Sequence, residues 1–137
     1  VSKEAQDLVR VTRECFFEGI KYAKEGNHLF DISGAIGRYA EERGYGVVRD
    51  LCGHGIGTAL HEAPEIPNYE MKRKGVLLKA GMTLAIEPMI NIGGWEVDWM
   101  DDDWTVVTRD HSLSAHYENT VLITENEPKL LSLTEGI

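Results

Sequence analysis

Two histidines and two glutamates in this sequence stand where side chains could do chemistry. His54 and His61 lie in Cys52-Gly53-His54-Gly55-Ile56-Gly57 and Leu60-His61-Glu62-Ala63-Pro64, the first with three glycines in five residues. Glycines crowded around a histidine let the backbone bend closely about whatever the imidazole binds. A tight turn with an incidental histidine is the competing reading. Glu87 interrupts the apolar run Met82-Thr-Leu-Ala-Ile-Glu-Pro-Met-Ile90, where period-two alternation groups it with Thr83, Ala85 and Met89. Glu118 reads as a mid-strand residue too, sharing a face with Ser114, His116 and Thr120. A bare carboxylate among hydrophobes is costly to bury unless it is paired or metal-bound. A salt bridge could satisfy one such glutamate, whereas two of them with a glycine-flanked histidine favour a divalent metal. Nitrogen and oxygen donors without thiolate suit Mn, Fe, Co or Zn.

Other patterns lead nowhere. Gly53-x-Gly55-x-Gly57 has neither the spacing nor the following helix of a dinucleotide loop. His61-Glu62 starts like a zincin helix, but the second histidine would fall at Glu65. Cys52 has no second cysteine nearby and reads as a small buried hydrophobe. His28 and His111 read as solvated loop residues.

The elements that must position these groups follow from periodicity. Residues 2–24 form an amphipathic helix, with Ala5, Leu8, Val9, Thr12, Cys15, Phe16, Gly19, Ile20 and Ala23 on the apolar side and Ser2 as N-cap. A second helix is capped by Asp31, carries Ile32, Ala35, Ile36, Tyr39 and Ala40, and stops at Gly44. After Gly46 come β-type runs at Val47–Leu51, Val76–Leu78, Met82–Ile92, Trp104–Thr108 and Ala115–Thr124. Two helices followed by five strands, without βαβ alternation, make an α+β fold with an antiparallel sheet. Asp98 and Asp101–Asp103, between Trp95 and Trp104, mark a solvated hairpin tip.

Composition narrows the function. With 14 Lys and Arg against 23 Asp and Glu, the net charge of −9 excludes the basic footprint that nucleic acids require. No apolar run reaches the ~20 residues of a membrane span. Two cysteines in 137 residues make no disulfide framework and suit a reducing, cytoplasmic setting.

The motifs together resemble the methionine aminopeptidases of peptidase family M24. The resemblance is carried by Gly53-His54-Gly55-Ile56-Gly57, His61-Glu62-x-Pro64, Ile66-Pro67-Asn68-Tyr69, Leu78-Lys-Ala-Gly-Met-Thr-Leu-Ala-Ile-Glu-Pro88 and Ser112-Leu-Ser-Ala-His-Tyr-Glu-Asn-Thr120. Glu87 and Glu118 are only 118 − 87 = 31 positions apart, too few for the long insertion of type II enzymes, so the likeness is to type I. Prolidases and aminopeptidase P share the His, Glu, Glu order but differ around the first histidine.

The resemblance implies roles. His54, Glu87 and Glu118 match metal ligands, with Glu118 bridging the two divalent ions of a complete site. His61 matches the histidine at the scissile peptide group, and Glu87 also matches the glutamate that moves a proton. Trp104 matches an aromatic near the methionine pocket; Leu60 replaces an aromatic found there in some relatives. Substrates would be peptides and nascent proteins beginning with Met. The implied fold is the pita-bread fold, two pseudo-symmetric halves of helices and curved antiparallel strands with helices on the outer face. Its N-terminal half supplies two aspartate ligands, and no aspartate upstream of His54 stands in a matching motif. Residues 1–137 are therefore read as the C-terminal part of a single catalytic domain, partnered by a missing N-terminal half. The alternatives are an inactive fragment and a non-enzymatic protein-binding module, though a binding scaffold has no need of His54, His61, Glu87 and Glu118. The isolated 137-residue chain is expected to release no Met from a Met-Ala-Ser peptide with added Mn or Co; turnover in that assay would refute the half-site reading.

Overall fold

A computed structural model describes residues 2–49, 52–56, 62–102 and 106–131. Helix α1 (Lys3–Ile20) starts at Ser2, whose Oγ accepts from the Ala5 amide at 3.1 Å. Its buried stripe is Leu8, Val11, Thr12, Cys15, Phe16 and Gly19. Val9, expected in that stripe, is 61 % exposed because the buried face is centred on Leu8 and Val11. The helix stops at Ile20, short of the expected Lys24, and Tyr22 and Ala23 close it with turn bonds to Gly19 and Ile20.

Helix α2 (Leu29–Glu42) begins three residues earlier than the sequence suggests. Asp31 caps it from inside the first turn, its Oδ2 accepting from the His28 amide at 2.8 Å. His28 is thereby the N-cap residue and not a solvated loop residue; its backbone also bridges to Leu77. That bridge is all the pairing found for the expected 76–78 strand.

Among the described residues ten short strands follow: β1 (Gly46–Val47), β2 (Gly53–Ile56), β3 (Glu62–Ile66), β4 (Thr83–Ile86), β5 (Met89–Asn91), β6 (Val97–Trp99), β7 (Val106–Thr108), β8 (Ser114–His116), β9 (Asn119–Leu122) and β10 (Lys129–Leu130). All pairings are antiparallel. They build a five-stranded sheet in the order β10-β9-β4-β2-β3, a three-stranded sheet β1-β5-β8, and the hairpin β6-β7. α1 packs on β5 and β8, and α2 on β1 and β3. Phe16, Leu29, Ile32, Ile36, Leu84, Ile86, Ile90 and Val121 fill the space between, all essentially inaccessible. The acidic tip behaves as expected where described: Asp101 and Asp102 are exposed, and Arg109 pairs with Asp98 at 3.0 Å. Among the described residues no helix is long and apolar enough to cross a membrane.

The decisive departure from the sequence reading concerns the two long strands. The 82–92 run is two strands, β4 and β5, broken at Glu87-Pro88; the 115–124 run is likewise β8 and β9, broken at Tyr117-Glu118. Pro88 has no amide to give a ladder, which accounts for the first break. The breaks lie opposite one another, between the Ile86–Asn119 pair and the Met89–His116 pair, and the Tyr117 amide donates to the Pro88 carbonyl at 3.1 Å. A single long hairpin thus passes from one sheet into the other.

Close approach of β2 to β4 demands a glycine beside His54. A Cβ on Gly53 would overlap the carbonyl oxygen of Ala85, a backbone atom held in the ladder. Gly53→Ala is expected to destabilise the fold by about 1–3 kcal/mol, the usual cost of overpacking. Denaturant unfolding measures this, and an unchanged midpoint would show that the strands can separate freely.

Candidate metal centre

His54 stands on β2, one strand in from the β3 edge of the five-stranded sheet, paired with Ala85 of β4 on one side and Glu65 of β3 on the other. Its Nδ1 faces the Gly55 carbonyl at 3.0 Å, an oxygen that can only accept, so in the neutral imidazole the proton sits on Nδ1 and the lone pair on Nε2. Nε2 lies 3.4 Å from Oε1 of Glu87, and both side chains are only 13 % exposed.

Glu87 follows the last residue of β4, and Glu118 precedes the first residue of β9. Ile86 pairs with Asn119, so the same register carried one residue further sets Glu87 against Glu118. The mid-strand placement expected for both is therefore incorrect: each occupies a break, where the carboxylate leaves the plane of the ladder. One donor atom from each of His54, Glu87 and Glu118 lies within 4.8 Å of the others. This is the one such group of three or more His, Cys, Asp or Glu among the described residues. Glu118 is exposed, so the group is closed on the sheet side and open on the other.

The electrostatics mark a site that wants positive charge. Burial pushes the Glu87 carboxyl up to about 8, and the hydrogen bond and repulsion from Glu118 push in the same direction. Two carboxylates and an imidazole nitrogen whose proton is turned away are the donors that a borderline divalent ion takes.

The other expected site residues divide. Leu60, His61 and Trp104 lie outside the described residues. His116 is exposed on β8, beyond the break, and is not in the donor group. Cys52 is a free, half-buried thiol whose pKa burial raises, as suits a non-ligand. The sequence reading missed what Asn68 does. It is fully buried and its Nδ2 donates to the Glu87 carbonyl at 2.8 Å. The only signal was its place in the Ile66-Pro67-Asn68-Tyr69 motif.

In the metal-free protein the folded state holds a proton on Glu87 between pH 4.5 and about 8, where an unfolded glutamate has lost it. The folded state then binds more protons, so stability falls as pH rises through that window. Chemical denaturation across pH 4.5–8 is expected to show this slope, and a divalent metal to flatten or reverse it. Glu87→Gln is expected to remove this slope, and a variant that loses stability with rising pH as steeply as wild type would contradict the assignment.

Comparison with known proteins places this geometry. Residues 1–125 match the family described as Metallopeptidase family M24. A methionine aminopeptidase of Clostridium acetobutylicum is 54 % identical over 135 residues, 98 % of this chain and 54 % of that protein. The crystal structure of methionine aminopeptidase from Thermotoga maritima superposes with a TM-score of 0.91 at 48 % identity, over 95 % of this chain and 52 % of that one. The prolidase from Pyrococcus furiosus gives 0.72 at 28 % identity, over 98 % of this chain and 34 % of that one. The chain thus spans about half the length of the aminopeptidases it matches. The expected α+β pita-bread architecture is the fold it shares with these structures. On the match across residues 1–125, the chain belongs to metallopeptidase family M24.

Proposed function

We propose that this chain carries the metal-holding part of a type I methionine aminopeptidase, which removes the N-terminal Met from peptides and nascent proteins. The observation that carries the reading is the convergence of His54, Glu87 and Glu118 at the double strand break, on a scaffold half identical to methionine aminopeptidases. A prolidase reading is less favoured, because both identity and superposition fall for that relative.

In this reading His54, Glu87 and Glu118 would hold a divalent ion, Mn, Fe, Co or Zn, and Glu118 would also serve a second. The remaining ligands would be aspartates of the N-terminal half. When bound, the metal would polarise the scissile carbonyl and acidify water into a nucleophile at neutral pH. Glu87 would take the proton and deliver it to the leaving amine. His61 donates to the carbonyl oxygen as negative charge grows there, a contribution typically worth ~10²–10³ in rate. Trp104 and Leu60 line the pocket for the methionine side chain. The two cysteines are free thiols, in keeping with a cytoplasmic enzyme that meets nascent chains.

Glu118→Ala tests the reading in the full native polypeptide. Release of Met from Met-Ala-Ser is expected to fall to the limit of detection and the bound metal, measured by elemental analysis, to drop. A mild effect on both would refute the bridging role.

A further inference from the structure

We propose that Asn68 is a positioning residue for Glu87, setting the direction of that carboxylate through its backbone. The proposal rests on Glu87 being a metal ligand.

Glu87 belongs to neither β4 nor β5, and the residue after it is a proline with no amide to pair. Asn68 supplies a fixed point at that place, its Nδ2 donating to the Glu87 carbonyl at 2.8 Å. The asparagine is itself held from several sides. Ile66 pairs with Gly53 in the ladder next to His54. Gly37 of α2 leaves no room for a Cβ, which would meet the Tyr69 Cα at 2.8 Å and the Asn68 carbonyl at 3.2 Å. Arg38 of α2 pairs with Glu70, and the Arg49 guanidinium lies 5.3 Å from the Tyr69 ring centroid. Asn68 therefore transmits the position of α2 and β3 to the peptide that carries Glu87.

The amide is a poor choice for stability alone. Its Oδ1 is buried and meets no donor among the described residues, which costs free energy that an apolar side chain of the same shape would not incur. What an apolar replacement cannot do is hold the Glu87 peptide. A small rotation of that peptide swings the carboxylate away from His54 Nε2, 3.4 Å off, and from Glu118. Groups that orient metal ligands typically change affinity by ~10–100-fold when lost.

Titration of the full native polypeptide with Co(II), followed by calorimetry and by the visible absorption of the ion, tests this beside thermal unfolding. Asn68→Leu keeps the size and removes the donor; Asn68→Ser is the second variant should the first fail to fold. Leu8→Ala lowers stability from the buried face of α1, away from the Asn68 segment. The expected result is at least ~10-fold weaker Co(II) binding and an altered Co(II) spectrum for the Asn68 variants, with Leu8→Ala lowering Tm but leaving affinity unchanged. Folded Asn68 variants within twofold of wild type would overturn the proposal, as would equal loss in Leu8→Ala. Loss of cooperative unfolding in both Asn68 variants would assign the residue to the core and overturn it too. Glu87→Ala separates the two levels: if it abolishes binding while the Asn68 variants do not weaken it, only the positioning role fails. Binding unaffected in Glu87→Ala would remove the metal reading and this proposal together.

Discussion

Everything at the site depends on one interruption. The long hairpin β4-β5/β8-β9 keeps a single register, yet for two residue pairs, Glu87 with Glu118 and Pro88 with Tyr117, the ladder gives way. Side chains on an extended chain alternate, so neighbours at the break point opposite ways. Tyr117 goes inward, its ring 5.3 Å from Phe16 of α1, and Glu118 goes outward. Ile86 and Pro88 are buried on either side of Glu87. The core thus grips the hairpin at each flank of the break and keeps the two carboxylates close to one another.

Crowding two acids beside an imidazole is unfavourable without compensation, and the raised proton affinity of Glu87 is the measure of that cost. A proton relieves it in part. A divalent ion held by His54, Glu87 and Glu118, as proposed, would relieve it further by satisfying both carboxylates and the imidazole at once. The surrounding aliphatic core makes this local cost tolerable.

The scaffold does this with short elements. Strands of two to five residues would not hold a site alone, but each is backed by a helix or a neighbouring strand. Gly53 lets β2 approach β4 closely enough for His54 to reach Glu87, and Gly37 lets the 68–70 segment lie against α2. Removal of side-chain bulk at two backbone contacts sets the distance between the imidazole and the acids.

Much of this was legible in the chain. The two helices follow from 3.6-residue periodicity and the Ser2 cap, the sheet class from element order, and the candidacy of His54, Glu87 and Glu118 from a glycine-flanked histidine and two glutamates among apolar runs. Those properties are local: they depend on neighbours a few residues away. What was not legible depends on contacts across long separations. Periodicity read 82–92 and 115–124 as unbroken strands, since a proline in one strand says nothing about where its partner breaks. It placed Val9 in the core, because the orientation of a helix is chosen by what it packs on. It gave Asp31 the cap position, although a carboxylate can cap from the third residue as well as from the first. It left Asn68 without a task, because its partner lies 19 residues away and is a carbonyl, which every residue has. Residue chemistry and period are written in the order of the chain; distance, register and the pairing of generic backbone groups arise when packing brings remote segments together.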